Sequence, residues 1–213
     1  MFDSSTEYIL PFRWEGFCIE PTFSYRLTDL SPDFVDEKVG KGVKRDLNRG
    51  VKSFILDDDN KAIDEFISLQ NLTYARQKRK NPIDNDFTAS VISKTIEAGH
   101  GKMMFARDDK GVAHACSFIL YDKDVCYHLL SGQNTQLGNF GAMPFLLYNE
   151  ILFASNNSKA FDFEGSMVEG IEQVYRRYGG KQVINWHVAR RPFFQDLFSV
   201  MKPRIKKMIG YKI

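Results

Sequence analysis

The chain has 213 residues, of which 43% are hydrophobic and 26% are charged, a composition typical of a globular protein. It excludes disordered, collagen-like and coiled-coil chains, and the sequence has no long uncharged apolar run that would predict an integral membrane segment. Three cysteines without CxxC spacing predict a reducing, cytoplasmic location and no metal site. The formal net charge of +2 is too small to indicate nucleic-acid binding by itself.

The first predicted elements are a strand and a basic helix. Alternating residues over 23–30 are typical of a strand, and Ser31 and Pro32 are suited to begin a helix. Apolar residues four apart predict that this helix continues to a C-cap at Gly50. Its remaining surface carries the cations Lys38, Lys41, Lys44, Arg45 and Arg49. A short strand is predicted next, over 51–56.

Two helices and three hairpin strands are predicted in the middle of the chain. The apolar spacing indicates helices over 61–79 and 88–98. The DDKG and YDKD turns separate three strands between residues 103 and 132, so we expect an antiparallel meander.

A strand, helix, strand crossover follows the meander. Helices are predicted over 144–155 and 169–178, and strands over 159–166 and 181–189. Because such a crossover joins parallel strands, the third meander strand and the strand over 159–166 are expected to be parallel. A basic amphipathic helix over 191–209 is predicted last.

The loop before the crossover helix, QLGNFGAMPF, has features of an anion site. Gly138 and Gly141 permit unusual backbone angles, and the first turn of a helix leaves backbone amides unpaired. These amides and the positive end of the helix dipole favour an anion such as a pyrophosphate. The alternative is a tight connection that binds nothing.

The order of the elements resembles the Fem-type branch of the GNAT acyltransferase superfamily over nearly the whole chain. The segments YILPFRWEGF, KGVKRDLNRGVK, LTYARQ and FDFEGSMVEGIEQVYRRYGGKQ carry the resemblance. It implies an α/β (α+β) fold: a mixed, mostly antiparallel, twisted sheet flanked by helices, with a splayed central pair of parallel strands. It also implies that residues 1–52 are the C-terminal remnant of a first GNAT-like half, whose beginning is missing, and that residues 53–213 are a complete acyltransferase domain.

The resemblance implies an N-acetyltransferase-like enzyme. The expected reaction moves an acyl or aminoacyl group from acyl-CoA (acetyl-CoA) or aminoacyl-tRNA to an amine, on a cell-envelope (peptidoglycan) or sugar-linked precursor. The donor is expected to be a co-substrate, with no tightly bound cofactor. Free amides in the splayed strand are expected to polarise its carbonyl, and the glycine loop to hold its phosphates. The implied donor-binding residues are Leu130, Ser131, Gln133, Gly138, Asn139, Phe140, Gly141 and Ala142.

The candidate catalytic residues follow the crossover helix. Asp162 and Glu164 are two apart on one predicted strand, so they share a face, and a buried carboxylate there is suited to act as a general base. The alternative is that Glu164 caps the next turn or pairs with a nearby arginine. The resemblance adds Arg176, which stands where the family typically has a lysine, although it could instead be an ordinary surface arginine at a helix end. Tyr175 is a further candidate, because its phenol could protonate a leaving thiolate, although an aromatic at this spacing could instead belong to the core.

Other functional assignments stay open at this point. Ser166, Lys44 and Arg45 are predicted to bind the acceptor or a phosphate, although Ser166 could instead cap a helix. The basic helix could contact tRNA, or it could be only a solvated face. The histidines His100, His114, His128 and His187 are each predicted to be structural. A non-catalytic GNAT-like scaffold and an RNA-binding module are the competing functions.

Overall fold

The helices and strands were located in a computed structural model that describes residues 2, 6–31, 33–138, 141–165 and 167–190. In chain order they are α1 (Leu10–Trp14), β1 (Cys18–Leu27), α2 (Phe34–Lys38), α3 (Lys41–Ser53), β2 (Ile55–Asp57), α4 (Ile63–Arg76), α5 (Asn85–Glu97), β3 (Gly101–Arg107), β4 (Ala113–Tyr121), β5 (Val125–Gln133), a 3-10 turn (Thr135–Leu137), α6 (Ala142–Asn157), β6 (Ala160–Asp162), α7 (Glu169–Arg176) and β7 (Lys181–Ala189). None of these helices is long and apolar enough to cross a membrane.

The chain divides into two units, Met1–Phe23 with Val183–Ile213, and Ser24–Gln182. The sheet has the strand order β2-β3-β4-β5-β6-β1-β7. Strands β2 to β5 are antiparallel neighbours, β6 is antiparallel to β1, and β5 and β6 are parallel. These pairings confirm the predicted mixed, mostly antiparallel sheet of an α/β (α+β) fold. The division into a remnant over 1–52 and a domain over 53–213 stays a prediction.

Helices cover both faces of the central strands. Met104 and Ala106 of β3 pack in a core cluster with residues of α3 and α6, whereas Met103 and Phe105 pack in a second cluster with residues of α4 and α5. This alternation follows from the two-residue period of a strand. The strands β3 and β4 are therefore almost continuously buried, as expected where both faces of a sheet are covered.

The basic helix differs from its prediction. It is interrupted at Val39, which has an extended backbone, and α3 begins only after Gly40. It also continues past Gly50 to Ser53, so the predicted C-cap at Gly50 is wrong, and the strand predicted over 51–56 shortens to β2. Gly50 is instead a contact residue, since a Cβ there would lie 2.5 Å from the carbonyl oxygen of Gly141 at the start of α6.

Most remaining elements agree with their predictions within a few residues. The strand predicted over 159–166 is shorter, because β6 ends at Asp162 and Glu164 lies beyond it in a turn, so the prediction that the two carboxylates share a strand face is wrong. The meander, the crossover helix and both later strands are present, and α7 ends at Arg176 rather than at residue 178. The helix predicted over 191–209 lies outside the described residues. The helix α1 has no counterpart among the predicted elements. Nor is the β4–β5 register predicted, which shifts between Phe118 and Ile119, the partners of Leu130 and His128. Leu129 is therefore an extra residue in β5, a β-bulge.

Close packing of α4 on β5 depends on Gly132. A Cβ at this residue would overlap the backbone of Leu69 and Gln70, so Gly132→Ala is expected to lower the free energy of unfolding by about 1 to 3 kcal/mol. Gly42→Ala in α3 is the control, because its Cβ would meet no atom within 4 Å and alanine is the better helix former. Urea unfolding of both variants measures the difference, and equal stabilities would contradict the packing argument.

Candidate functional site

The two parallel strands separate after a short pairing. Their register ends with Tyr127 opposite Asp162, after which β6 stops while β5 continues to Gln133. The next residue, Phe163, donates its N–H to the carbonyl of Tyr25 at 3.1 Å, so the chain follows β1 and not β5. The predicted splayed central pair is therefore confirmed.

Asp162 holds the end of β6 against β1. Its carboxylate is 1% exposed and accepts hydrogen bonds from Ser24 Oγ, from Arg26 Nε at 2.8 Å and from the backbone N–H of Glu164 at 2.8 Å. Two of these donors belong to β1, and the third turns the chain away from the sheet, where Glu164 and Gly165 have φ of 55° and 74°. A buried carboxylate requires such partners, because burying an unpaired charge is costly.

A cavity of about 380 Å³ lies where β5 has left β6. It is formed by five elements of the unit Ser24–Gln182: α3, the last turn of α4, β5, the first turns of α6, and α7 with the residues that follow it. The lining includes Arg45, Asp46, Thr73, Arg76, His128, Ser131, Gln133, Met143, Leu147, Ile171, Val174, Tyr175, Arg177 and Tyr178. Side chains at the strand separation therefore leave room for a ligand.

The backbone of β5 presents an amide toward this separation. Asn134 donates its N–H to the carbonyl of His114 on the β4 side at 2.9 Å. Alternate residues of an antiparallel strand bond to the same neighbour, so the N–H groups of Gly132 and Leu130 also face β4. The N–H of Ser131 is directed to the opposite edge, the one that β6 has left. An amide in this position can donate to a carbonyl oxygen or an oxyanion.

A buried histidine and glutamate lie beside the cavity. His128 Nδ1 is 2.8 Å from Glu150 Oε2, and these residues are 4% and 0% exposed. The hydroxyls of Tyr175 and Tyr178 are nearby, and burial, followed by the charge of Glu150, raises the pKa of both. Both phenols therefore stay protonated at neutral pH and can act as donors.

The prediction of a purely structural His128 overlooked this pair, because Glu150 lies 22 residues further along the chain. A signal was present in the sequence. Glu150 is the one acidic residue of α6 and it stands among buried apolar residues of that helix, including Leu147 and Ile151. A carboxylate on an apolar helix face requires a partner from another element.

The structure brings some of the predicted site residues together. Ser131, Gln133, Arg45 and Tyr175 all line the cavity, whereas Leu130 packs against the core cluster of α4 and α5. Lys44 is half-buried on α3. Asn139, Phe140 and Ser166 lie outside the described residues.

The predicted catalytic carboxylates and Arg176 are placed elsewhere. Asp162 and Glu164 are not among the cavity-lining residues. The side chain of Arg176 is 61% exposed and its Nε lies 3.6 Å from Glu172 Oε1. These assignments stay predictions, and the geometry places Tyr175 alone of the four candidates at the cavity.

The glycine loop is partly covered by α3. Gly138 and Gly141 have φ of 90° and 89°, as a turn into a helix requires, but Gly141 and Ala142 are buried. A Cβ on Gly141 would overlap the backbone oxygen of Asp46. The start of α6 is thus packed closely against α3 at Gly141.

Cationic side chains surround the cavity. Arg45, Arg76 and Arg177 line it together with a single carboxylate, Asp46, which Arg45 contacts at 3.2 Å. Within the described part of the chain, neither Arg76 nor Arg177 has an acidic partner. The positive charges of Arg76 and Arg177 are therefore available to an anionic ligand.

Comparisons with known proteins agree with this geometry. The sequence matches the model of the acetyltransferase (GNAT) domain family over residues 37–165. No curated protein matches the chain in sequence. FemX has the same fold, with a TM-score of 0.70 and 10% identity over 90% of this chain and 69% of FemX.

Two further structures concern lysylphosphatidylglycerol synthesis. The C-terminal domain of a putative lysylphosphatidylglycerol synthetase from Agrobacterium fabrum has a TM-score of 0.61 and 10% identity, over 96% of this chain and 71% of that one. L-PGS from Bacillus licheniformis has a TM-score of 0.57 and 12% identity, over 94% of this chain and 70% of L-PGS. Such low identities show the fold alone. The family model covers more than half of the chain, and with its splayed β5–β6 pair and Fem-like fold the chain belongs to the GNAT acetyltransferase family.

Proposed function

We propose that the chain is an acyltransferase that moves an acyl or aminoacyl group onto an amine bound in the cavity. The observation that carries this proposal is the separation of β5 from β6, which directs the N–H of Ser131 to a strand edge beside open space. This amide would donate to the donor carbonyl and to the oxyanion that forms when the amine attacks. One such donor is typically worth a factor of about 100 to 1000 in rate.

The reaction needs both substrates within one cavity. The amine nitrogen attacks the carbonyl carbon, a C–N bond forms, and the bond to the leaving sulfur or oxygen breaks. Holding the two groups together supplies much of the rate enhancement. Tyr175 is proposed to protonate the leaving group, which its protonated phenol and its place in the lining support.

The covering of the glycine loop by α3 favours an aminoacyl ester of tRNA over an acyl-CoA. An ester donor does not require the amides of Gly141 and Ala142 for a pyrophosphate. The cations of α3, among them the half-buried Lys44 and the exposed Arg45, are proposed to contact the phosphates of such a donor. Acetyl-CoA remains the second candidate, since it is the donor that the family name implies.

The acceptor is proposed to be an amine on a cell-envelope or sugar-linked precursor that carries an anionic group. Arg76 and Arg177, which have no acidic partner among the described residues, support an anionic portion. Ile171 and Val174 of α7 line the same cavity and support an apolar portion beside it.

Donor binding tests the proposal directly. Aminoacyl-tRNA at about 100 times its Kd is expected to raise the melting temperature by about 5 to 10 °C, and acetyl-CoA is expected to raise it much less. Val174→Trp, which introduces a larger side chain at the cavity lining, should abolish the shift. Met167→Trp is the control, because Met167 is exposed and not among the lining residues.

Labelled acyl transfer to amines with and without phosphate groups then measures turnover. Stabilisation without transfer would contradict the enzyme and support the scaffold, and no stabilisation by either donor would contradict the proposed site.

The arginines make a separate prediction. The double variant Arg76→Gln, Arg177→Gln is expected to bind inorganic pyrophosphate at least about tenfold more weakly, because two charge-assisted hydrogen bonds are lost. Isothermal titration measures the affinity, and Arg79→Gln, three residues after Arg76 but not among the lining residues, is the matched control. Equal affinities for the double variant and the control would remove the case for an anionic acceptor.

A further inference from the structure

We propose that His128 is the general base of this site and that Glu150 is the positioning residue that holds its proton on Nδ1. The inference rests on the acyl transfer proposed above and assigns the group that takes the proton from the amine. The carboxylates predicted for this role are not among the cavity-lining residues, whereas His128 is.

The bulge in β5 brings the base and the oxyanion donor to the same place. Residues three apart on a regular strand face opposite sides, so His128 and Ser131 would be separated by the sheet. The extra residue Leu129 changes this: His128 pairs with Ile119 and Ser131 pairs with Ser117, and these two partners share a face of β4. His128 and Ser131 therefore lie on one face and both line the cavity.

Glu150 determines which nitrogen of His128 is available. An ionised carboxylate only accepts hydrogen bonds, so the proton between Glu150 Oε2 and His128 Nδ1, 2.8 Å apart, belongs to the imidazole. Nε2 then carries the lone pair, on the side of the ring away from Glu150. A histidine held in this tautomer by a carboxylate is ready to accept a proton at Nε2.

The surroundings of Glu150 make the imidazole its main partner. The second carboxylate oxygen, Oε1, has no hydrogen-bond partner among the described residues, and neither has the hydroxyl of Tyr178. Tyr175 packs its ring edge-on to the imidazole at 6.1 Å. The negative charge is therefore directed at His128, and it stabilises the imidazolium that forms when Nε2 takes a proton.

His128 accepts the proton that the amine loses and returns it at the end of the reaction. As the C–N bond forms, one proton of the amine moves to Nε2 of His128. The carbonyl is restored when the bond to the leaving sulfur or oxygen breaks, and the leaving atom takes up one proton. The imidazolium returns its proton, either to the leaving atom directly or to the phenol that protonated it, so that His128 ends in its starting tautomer.

Nitrogen NMR tests the positioning role without any substrate. With 15N-labelled histidine, His128 is expected to show a protonated Nδ1 and an unprotonated Nε2. Glu150→Gln is expected to change both shifts. His114, whose Nε2 contacts Asp108 at 3.1 Å away from the cavity, is an internal control that must keep its shifts. A proton on Nε2 in the unaltered chain, or unchanged His128 shifts in the variant, would overturn the inference. Glu150→Asp gives the same comparison if Glu150→Gln does not fold.

Kinetics test the base itself. His128→Gln is expected to lower kcat at least about 100-fold while KM changes less than about twofold, since the base acts in the transition state. Glu150→Gln should lower kcat in the same way, and Glu150→Asp should restore part of it. Asp108→Asn, which alters the other histidine–carboxylate pair, should leave kcat unchanged.

The outcomes separate the two proposals. Turnover within about threefold of the unaltered chain in His128→Gln would overturn the assignment of the base while the acyltransferase stands. An unaltered chain that transfers nothing from either donor would overturn the proposed function, and the nitrogen shifts would then decide on the Glu150–His128 pair alone. Melting curves of each variant show that lost turnover is not lost folding.

Discussion

The buried carboxylate of Asp162 is the constraint on which the site depends. Its bonds to Ser24, Arg26 and the N–H of Glu164 keep the end of β6 on β1, so β6 cannot follow β5. A parallel pair that continued would use the edge of β5 for ladder hydrogen bonds, and no amide would remain for a substrate. The hydrogen bonds that the buried carboxylate of Asp162 requires thus leave the edge of β5 open. In this sense a structural ion pair and not a reactive group would define where the proposed reaction takes place.

The contact between α3 and α6 is the second determinant. Two glycines, Gly50 and Gly141, let the helix backbones meet without intervening side chains, which brings the basic surface of α3 beside the cavity. The same contact buries Gly141 and Ala142 at the start of α6. Positive charge at this site comes from arginine side chains on several elements. That arrangement suits a ligand whose phosphates extend along the surface.

Local patterns predicted most of the fold, because helices, hairpins and the crossover each have their own periodicity and turn residues. Gly50 was misread, since a glycine near a helix end is usually a cap, and only the partner helix reveals it as a contact. The site was harder for a related reason. His128 and Glu150 come together only when α6 packs across β5, and the lining arginines of α3, α4 and α7 are unrelated in sequence. Tyr175 and Ser131 could be predicted from the sequence, because the family resemblance already associates the splayed strand with the helix that follows β6.

The bulge at Leu129 has a consequence for how such proteins can be compared. It is an insertion of a single residue, and it exchanges the faces of everything after it on β5 relative to everything before it. A related chain could keep a histidine and a serine in β5 yet, without the insertion, present them to opposite sides of the sheet. Residue identity at aligned positions is then a poor guide to shared chemistry, and the length of this strand is the more informative character. Under the roles proposed for His128 and Ser131, the gain or loss of one position in β5 would separate the two groups without any change of side chain.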